Sequence, residues 1–581
     1  MAFMSNSQCR QKSRYCLGMQ SIAIQSRISW VISWGSLIVT LLVTDRISSE
    51  PVNVGKMVAL ATIGFLVFGL GLGKVKAIFT EYKMMTILLI IFLAFVILSA
   101  VLSENTIERG FYGTVGRNTG ALTYASLILI FLAILQIRNK VFLARPIKFF
   151  YLAAFLNVIY CLFAAAGTDL FRWTNPYNLV LGTFGNPNFI GAFMGINVSL
   201  LLVAISSSEI SNRLKSVAAI TLLPSIFVLW KADALQGALL VAIGLFFIVY
   251  FFCKQMNVSR KWRGLFGIFS GGIFLISFLG VFGFGPFAGF LNKPSIQFRG
   301  EYWFAGIQMG INNLFTGVGI DSYGTYYRTF RGAGSVISPG VDVTTDAAHN
   351  VYLDILAGTG LFGFGAYVAI NAFVLIAAMR FIKDSHKISF QFKFYFVGWS
   401  LYQTQSLFSI NQIGLAVWGW VFAGSLLAYI KLSQETTVST IKEKVNTGKK
   451  TLSEASLIPP QVLLSAIVFG VVGLLISLPP FLRDMEMRKA TVSKSVSEVF
   501  EVSKRWPTDS SRMNRSIIAL ANSGNLEMAS DLVTIVNSKY PNDYLGWYTS
   551  LQIEKARGGD VERQLTMLRT IDPLNPAYFK K

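Results

Sequence analysis

The sequence is short of charged residues. Of its 581 residues, 14% are Asp, Glu, Lys or Arg, whereas ordinary soluble domains contain about 25%. The charges that are present cluster between long apolar stretches, several of which reach the roughly 17–25 residues that a helix needs to cross a bilayer. This pattern excludes a soluble globular enzyme, and it equally excludes a disordered chain.

Cysteine and histidine are also scarce, with four and two copies. Cys9, Cys16 and Cys253 fall in segments that we expect on the cytoplasmic side, and Cys161 falls within an apolar span. No disulfide framework is therefore predicted. The shortage of histidine narrows the search for a catalytic group, because imidazole is the side chain best suited to proton transfer near neutral pH.

Apolar residues, by contrast, are abundant: 53% of the chain is hydrophobic, with 48 Phe and 50 Gly. Such a composition is typical of closely packed membrane helices, in which Gly is frequent. We predict an all-α polytopic membrane protein with about thirteen transmembrane helices. The predicted spans are 28–44, 57–73, 84–102, 119–137, 149–166, 189–206, 216–230, 234–252, 264–284, 353–379, 394–410, 414–430 and 461–479.

The formal charge of +22 does not indicate a nucleic-acid partner, because no basic face with interleaved aromatic residues is present. Lys and Arg instead concentrate in alternate short loops, which predicts a cytoplasmic N-terminus and an extracytoplasmic C-terminus in the cytoplasmic membrane. The predicted domains are a cytoplasmic segment 1–27, a polytopic membrane domain 28–479 and an extracytoplasmic helical domain 480–581.

The C-terminal domain contains a weak internal repeat. Gly524-Asn525-Leu526-Glu527 recurs as Gly559-Asp560-Val561-Glu562, and Tyr540-Pro541-Asn542 recurs in the stretch Asp572-Pro573-Leu574-Asn575-Pro576. These offsets resemble those of tetratricopeptide-type helix pairs. A plain helical bundle is the alternative, because two units fall short of the about three repeats that such arrays usually need.

The longest extracytoplasmic loop, 285–352, ends with His349 directly before an apolar span. The sequence leaves two interpretations open: a group that transfers protons, or a residue that caps or supports the start of the helix. Asp346, three residues earlier, is expected to orient the imidazole. A metal held by Asp342, Asp346 and His349 is the competing idea, but the spacing matches no strong motif, and we predict no metal and no cofactor.

The same loop contains Arg299, Arg328 and Arg331. Arginine presents a planar fork that matches phosphate oxygens and stays charged at any relevant pH. Arg299 opens an amphipathic stretch in which Tyr302 and Trp303 are expected at the depth of the lipid headgroups. These arginines are candidate ligands of an anionic lipid-linked substrate.

Three other short stretches are candidates for binding or for tight turns. Gly317 and Gly319 either let backbone N–H groups approach an anion or form a turn between two loop helices, and their spacing favours the turn. Asn186 and Asn188 lie in a Gly/Pro-rich turn before a span, where their amides are suited to sugar hydroxyls. Arg117 lies in a third loop, 103–118.

Together these features resemble the O-antigen ligase and polymerase-like family of membrane glycosyltransferases over roughly residues 90–430. The most specific stretch is Ala348-His349-Asn350-Val351-Tyr352-Leu353, a His-Asn pair that enters a Gly-rich span after a long outer loop. The resemblance rests on this stretch with Gly358–Gly363, and on Gly116–Gly120, Gly182–Asn188, and Arg299–Trp303 running into Gly317–Gly319. The C-terminal helical domain looks like an appendage found on some members.

The resemblance implies transfer of a glycan from a polyprenyl-diphosphate carrier, such as undecaprenyl diphosphate, to a hydroxyl or amine acceptor on the outer membrane face. It implies a metal-independent, inverting reaction in polysaccharide biosynthesis for the cell envelope. His349 is then the base and Arg299 the first diphosphate ligand. The full set of residues expected to bind substrate is Arg299, Arg328, Arg331, Arg117, Lys231, Asn186, Asn188, Asn350 and Tyr352.

One stretch departs from the family pattern. Family members often carry Ser-Arg-Gly at the start of a span before the large loop, and the matching region here is 232–238. Gln236 stands where that arginine would be, so Lys231 or Arg117 is expected to supply the missing positive charge.

Two other classes of function stay open at the level of sequence. A lipid-linked oligosaccharide flippase or other transporter suits the number of spans, although transporters usually place ionisable residues inside spans and the predicted spans contain no Lys, Arg or His. A scaffold that recruits partners through the C-terminal domain is the third possibility. Within the enzyme class, the expected partners are membrane lipids, the lipid-linked donor, and a glycan, lipid or protein acceptor, which leaves ligation, polymerisation and protein O-glycosylation open.

Overall fold

The computed structural model describes residues 6–172, 175–176, 179–281, 284–286, 288–291, 294–442 and 458–579. All regular secondary structure within these ranges is helical. The α-helices in chain order are α1 (Asn6–Leu41), α2 (Asn53–Gly71), α3 (Val75–Glu81), α4 (Lys83–Leu102), α5 (Ile107–Tyr112), α6 (Ala121–Ile134), α7 (Lys140–Leu143), α8 (Arg145–Ala165), α9 (Pro187–Ser206), α10 (Asn212–Lys231), α11 (Leu235–Gln255), α12 (Arg260–Val281), α13 (Ala288–Leu291), α14 (Pro294–Asn312), α15 (Tyr323–Phe330), α16 (Ala333–Ser335), α17 (Val351–Asp384), α18 (Phe390–Ser406), α19 (Ile413–Lys442), α20 (Pro460–Val492), α21 (Val496–Lys504), α22 (Ser510–Asn522), α23 (Leu526–Lys539), α24 (Tyr544–Arg557) and α25 (Glu562–Ile571).

The predicted all-α polytopic membrane fold is confirmed. Within the described ranges, ten helical segments are long and apolar enough to cross a bilayer. The three other predicted spans fall on α6, α12 and α18. Of these, α6 has 14 residues and α18 has 17, which are short for the roughly 30 Å hydrocarbon core at 1.5 Å per residue.

Contacts between segments that are distant in the sequence show that the helix ends lie on two faces of the protein. On one face, Arg145 donates to the Ser26 carbonyl at 2.8 Å, and the Phe390 N–H donates to Glu209 at 3.0 Å. On the other, Asn53 donates to the Gly116 carbonyl at 2.7 Å. We call this second face the loop face, because it carries residues 294–350. Which of the two faces lies on which side of the membrane stays a prediction.

Close helix packing explains some of the glycine content. α2 and α20 lie against each other, and an added Cβ at Gly69 would lie 2.6 Å from the Ser465 carbonyl oxygen. At Gly473 the same atom would lie 2.7 Å from the Ala61 carbonyl oxygen. Small residues that let two backbones approach are the usual means of packing helices in a bilayer, where apolar burial between helices gives little driving force.

One buried lysine lies just outside a predicted span. Lys56 is fully buried in α2, whereas the sequence places the start of this span at residue 57. Its ammonium group donates to the carbonyls of Thr40 and Thr183, each at 2.8 Å, and lies 5.0 Å from the Phe184 ring centroid. These partners are main-chain and aromatic groups, so Lys56 ties α2 to the turn before α9.

The C-terminal helices form two pairs, each with a small apolar core. α22 and α23 enclose Met513, Ile517 and Leu532 among others, and α24 and α25 enclose Trp547 and Leu568. The tetratricopeptide assignment stays a prediction. The predicted boundaries at 27 and 479 do not coincide with helix ends, because α1 runs from Asn6 to Leu41 and α20 from Pro460 to Val492.

Candidate active site

His349 lies on the loop face directly before α17. The N-cap of this helix is Asn350, whose side-chain oxygen accepts the N–H groups of Tyr352 at 3.0 Å and Leu353 at 3.2 Å. The interpretation of His349 as the helix cap is therefore wrong, and Asn350, predicted to bind substrate, is the cap instead. His349 itself has a φ of +55°, a left-handed conformation that is uncommon outside Gly and concentrates at functional sites.

The imidazole is held by one main-chain group. Its Nδ1 lies 3.2 Å from the Ala347 carbonyl oxygen, and because a carbonyl only accepts, Nδ1 carries the hydrogen. In the neutral ring the other nitrogen, Nε2, is then the basic one. The ring also lies 5.5 Å from that of Tyr302, tilted by 34°. This arrangement fixes a tautomer that accepts a proton through Nε2.

A cavity of about 490 Å³ adjoins the histidine. Its aromatic side is formed by Phe298 and Tyr302 of α14, four residues apart and therefore on one side of that helix. The polar side is formed by Thr344, Thr345 and Asp346, together with His349. Aromatic rings opposite hydroxyl and carboxylate groups make a cavity suited to a hydroxylated ligand such as a sugar.

The surroundings lower the pKa of His349. Burial is the main cause, and the positive charges of Arg299 and Arg117 act in the same direction. The Ala347 carbonyl and the Asp346 carboxylate oppose this shift by favouring the charged ring. Because the ordinary histidine pKa is about 6.5, the ring is neutral at pH 7 and available as a base.

Arg299, predicted as the first diphosphate ligand, lies in α14 close enough to influence the His349 charge. It is half-buried, and burial lowers its pKa. Among the described residues no carboxylate pairs with it, and its Nε has no hydrogen-bond partner. A desolvated cation without a counter-charge is costly, so this position is suited to an anion that arrives with the substrate.

α14 turns two different sides to its surroundings. Phe304, Ile307 and Ile311 are 46%, 38% and 58% exposed, and they form an apolar stripe at helical spacing, as expected for a helix at the membrane interface. Tyr302 is instead buried beneath His349, where its carbonyl accepts the Tyr323 hydroxyl at 2.6 Å. Tyr302 is therefore packed against protein, and its depth in the membrane stays a prediction.

Arg117, also predicted to bind diphosphate, is already surrounded by carboxylates. It lies 3.4 Å from Asp321, 3.2 Å from Asp346 and 3.9 Å from Asp354. Burial alone would lower its pKa, but these three negative charges together raise it. Arg117 also donates to the Asp346 carbonyl at 3.1 Å. The structure therefore corrects its role: Arg117 holds the loop before His349 and is not available to a diphosphate.

The same contacts correct the predicted role of Asp346. Its carboxylate binds Arg117, and the imidazole Nδ1 is held by the neighbouring carbonyl. With a side chain that is 62% exposed, Asp346 lies on the cavity wall rather than behind the ring. Among the described residues no three His, Cys, Asp or Glu side chains come together as a metal site, so the alternative of Asp342, Asp346 and His349 has no geometric support.

Arg328 and Arg331 are likewise committed to a protein partner. Both bind the buried carboxylate of Asp572 in the C-terminal domain, at 2.7 and 2.6 Å. The pairing leaves neither guanidinium group available to a diphosphate, which corrects the prediction for both. The sequence gives no sign of this, because the partners are more than two hundred residues apart.

The remaining predicted residues lie at other points of the loop face. Asn186 is the N-cap of α9, where it accepts the Asn188 N–H at 2.9 Å, and the Asn188 carbonyl accepts from Gln236. Lys231 lies 4.9 Å from the Trp230 ring centroid at the end of α10. The structure thus groups Asn186, Asn188 and Gln236 on α9 and α11, and no described contact joins them to His349.

Tyr352 faces into the membrane domain. Its hydroxyl donates to Gln403 at 2.8 Å, and its ring lies 5.3 Å from that of Tyr367. This contact joins α17 to α18, which is a structural role beside the predicted one in substrate binding.

Gly317 and Gly319 form the predicted turn between α14 and α15. The Val318 N–H donates to the Ala357 carbonyl at 2.8 Å, and the Ile320 N–H donates to Ser99 at 2.8 Å. An added Cβ at Gly317 would contact the Ala357 carbonyl. These N–H groups are therefore used within the protein, and the glycines bring the turn against the break in α17 at Gly360, where φ is +69°.

Sequence reasoning did not select the cavity residues Phe298, Thr344 and Thr345, or the buried Asp321. Asp321 accepts the Thr114 N–H at 2.9 Å and the Thr119 N–H at 3.1 Å, and thereby fixes the loop that carries Arg117. A usable signal was present only for Phe298, which lies four residues before Tyr302 on one side of the amphipathic helix.

Comparison with known proteins agrees with the family inferred from the motifs. Residues 218–368 match the family model described as O-antigen ligase. None of the curated proteins that were compared matches the chain. The matched stretch begins in α10, contains the whole long loop and ends within α17. Over residues 218–368 the chain is therefore similar to the O-antigen ligase family, a family of the membrane ligase and polymerase kind, and the matched residues include both His349 and Arg299.

Proposed function

We propose that this protein is a membrane glycosyltransferase that moves a glycan from a polyprenyl-diphosphate carrier to an acceptor hydroxyl or amine. The observation that carries the proposal is a neutral, oriented histidine at a cavity, close to an arginine with which no carboxylate among the described residues pairs. His349 presents a basic Nε2, and Arg299 presents a positive charge with which no carboxylate of the described part of the chain pairs. Such a pair serves a reaction that removes a proton at one end and stabilises an anion at the other.

The reaction is a displacement at the anomeric carbon of the donor sugar. His349 takes the acceptor hydroxyl proton through Nε2 while the acceptor oxygen bonds to the anomeric carbon. The bond from that carbon to the diphosphate oxygen breaks, and its electron pair leaves with the carrier diphosphate, so the anomeric configuration inverts. A positioned general base contributes about 10²–10⁴-fold to such a step.

Arg299 supports the leaving group. A lipid diphosphate is stable as an anion, so it needs positive charge more than it needs a general acid. A fixed cation in a water-poor site stabilises charge that grows in the transition state more effectively than water does. The fork of the guanidinium group also suits two phosphate oxygens at once.

The position of the site suits a lipid-linked donor. α14 carries Arg299 about two turns before the exposed apolar Ile307, beside which Phe304 and Ile311 are also exposed, so a polyprenyl chain in the bilayer lies within reach of the diphosphate site. With the loop face outward, the acceptor arrives from the extracytoplasmic side. Ligation, polymerisation and protein glycosylation share this chemistry and differ only in the acceptor.

The test is transfer in vitro by purified protein in lipid, with a labelled polyprenyl-diphosphate glycan and a panel of acceptors. We expect transfer by the wild type that withstands a chelator and is lost in His349→Ala. Substitution of His386, which is exposed on the opposite face, is the matched control and is expected to leave transfer unchanged.

Three results would contradict the proposal. Loss of transfer on addition of a chelator would show that the reaction needs a metal. Transfer by His349→Ala at the wild-type rate would show that the histidine takes no part in the reaction. Absence of transfer by folded wild-type protein with every acceptor would favour a flippase, which is then tested by movement of the same labelled lipid across vesicles.

A further inference from the structure

A buried carboxylate of the C-terminal domain holds two arginines of the long loop. Asp572 follows α25 and is fully buried, and its two oxygens bind Arg328 at 2.7 Å and Arg331 at 2.6 Å. Neighbouring contacts extend this junction: Thr329 donates to the Ile571 carbonyl at 2.9 Å, and the Arg328 guanidinium carbon lies 3.9 Å from the Tyr544 ring centroid.

The same arginines hold the main chain of the segment that leads to the site. Arg328 donates to the carbonyls of Val341 at 3.0 Å and Asp342 at 3.1 Å, and Arg331 donates to the Val341 carbonyl at 2.8 Å. The cavity wall of Thr344, Thr345 and Asp346 begins two residues later. Each residue spans at most about 3.6 Å. A displacement of the backbone at 341–342 therefore also displaces the residues that form this wall.

The junction is closed off from water, which makes it specific. Asp572 and Arg331 have side chains with 0% exposure, and Arg328 has 7%. A buried charge that loses its partner is strongly destabilising, so these three side chains are held in one arrangement. A looser contact that is open to water would allow these side chains several arrangements.

We propose that Asp572 is a positioning residue for the His349 site, acting through Arg328 and Arg331 on the backbone at 341–342. On this proposal the C-terminal domain fixes the position of the cavity wall in front of the imidazole. The catalytic consequence rests on the proposed glycosyl transfer, whereas the mechanical link rests on the contacts alone.

The link is tested by chemical modification of histidine with diethyl pyrocarbonate, read by mass spectrometry on the full-length protein in lipid. The chain has only two histidines, so the exposed His386 on the opposite face is an internal reference. We expect Asp572→Asn to raise the modification rate of His349 about threefold or more and to leave that of His386 unchanged, because the wall in front of His349 loosens.

Two further variants make the test specific. Arg328→Gln keeps Asp572 neutralised by Arg331 but removes the hold on Asp342, so it gives the same result even where Asp572→Asn fails to fold. Asn542→Ala breaks a different contact between the domains, with Glu104 and Tyr326, and is expected to behave as wild type. Equal rates at His349 in Arg328→Gln and Asn542→Ala, in folded protein, would overturn the proposal.

Transfer kinetics separate this proposal from the proposed function. In Arg328→Gln we expect kcat to fall about tenfold or more, as misplacement by about 1 Å costs up to about 10²-fold, while KM for the donor changes little because Arg299 is untouched. Absence of transfer in the wild type would refute the proposed function and leave the modification result to decide on the link. A changed KM with an unchanged kcat would overturn the positioning role.

Discussion

Arg299 and Arg331 belong to the same loop, and both are candidate ligands of a diphosphate by sequence, yet their surroundings in the structure are opposite. Arg331 is fully buried against Asp572, and its charge is neutralised within the protein. Arg299 is half-buried, and no carboxylate among the described residues pairs with it. Arg331 thus joins two parts of the protein, whereas the described residues give Arg299 no negative partner, and we propose that a ligand supplies one.

The difference teaches that an arginine near a site is informative only together with its partners. Arg117 and Arg328 fall in the same class as Arg331, since each is bound by buried or partly buried carboxylates. Removing a paired arginine is therefore expected to damage the fold, whereas removing Arg299 is expected to damage the reaction and spare the fold.

The largest effect is expected at the histidine that both classes of arginine surround. His349→Ala removes the base, and transfer is expected to fall about 10²–10⁴-fold, measured as kcat with a labelled donor. His349→Gln, which keeps a polar side chain of similar length, is expected to be equally inactive. Substantial activity in His349→Gln would show that the ring has a structural role only.

Replacement of a paired arginine is the next largest change. Arg117→Gln leaves the buried carboxylate of Asp321 and the partly buried carboxylate of Asp354 without their cationic partner, and the free energy of unfolding is expected to fall by about 3–5 kcal/mol. Equilibrium unfolding in mixed detergent measures this loss. The double variant Arg117→Gln with Asp321→Asn is expected to recover part of it. Unchanged stability in the single variant would remove the distinction between the two classes.

The same substitution at Arg299 is expected to lower the rate of transfer rather than the stability of the fold. Arg299→Gln is expected to lower kcat/KM for the donor about 10²-fold and to leave the unfolding midpoint equal or higher, because a desolvated cation has been removed. Arg299→Lys is expected to restore only part of the activity, since it keeps the charge but loses the fork. A lower midpoint in Arg299→Gln, similar to that of Arg117→Gln, would place Arg299 in the structural class.

The smallest expected effect is on the pH profile. Burial and the positive charge of Arg299 lower the pKa of His349, and Asp346 raises it. The ring must be neutral to act as a base, so activity falls as the pH drops through this lowered pKa, which lies below the ordinary 6.5. The measurement is the pH dependence of the transfer activity that each variant retains. Arg299→Gln is expected to move the acidic side of this profile to higher pH, and Asp346→Asn to lower pH, each by about one pH unit or less. Shifts in the same direction would contradict the assigned charges.

The fold class was predictable from sequence, and a candidate site residue could be selected from it, because both depend on local information. Apolar length determines a span, and a lone histidine between a long polar loop and an apolar helix stands out in a chain that has two. The family match over residues 218–368 includes this histidine, and its role in catalysis stays a prediction. The predicted spans were nevertheless too many by the criterion of length, because α6 and α18 end early.

The roles of the charged residues were not predictable, because they depend on partners far away in the chain. Arg117 is bound by Asp321, and Arg328 by Asp572. Asn350 became a helix cap and Asp346 a partner of Arg117 for the same reason: one position in the sequence is compatible with several hydrogen-bond partners until the fold brings one of them close. Arg299 kept its predicted role as a candidate ligand because the fold brings it no carboxylate among the described residues.

The central claim is that Arg299 binds the diphosphate and His349 acts as the base. Binding of the carrier without its glycan tests this claim most directly, because it measures the role of Arg299 without any turnover. The measurement is the affinity of polyprenyl diphosphate for purified protein in lipid, compared among wild type, His349→Ala, Arg299→Gln and Arg46→Gln. Arg46 is exposed on the loop face, so its replacement changes the net charge by the same amount. The account predicts near wild-type affinity for His349→Ala and Arg46→Gln and a Kd at least about tenfold higher for Arg299→Gln. Equal affinity in Arg299→Gln and Arg46→Gln would contradict it.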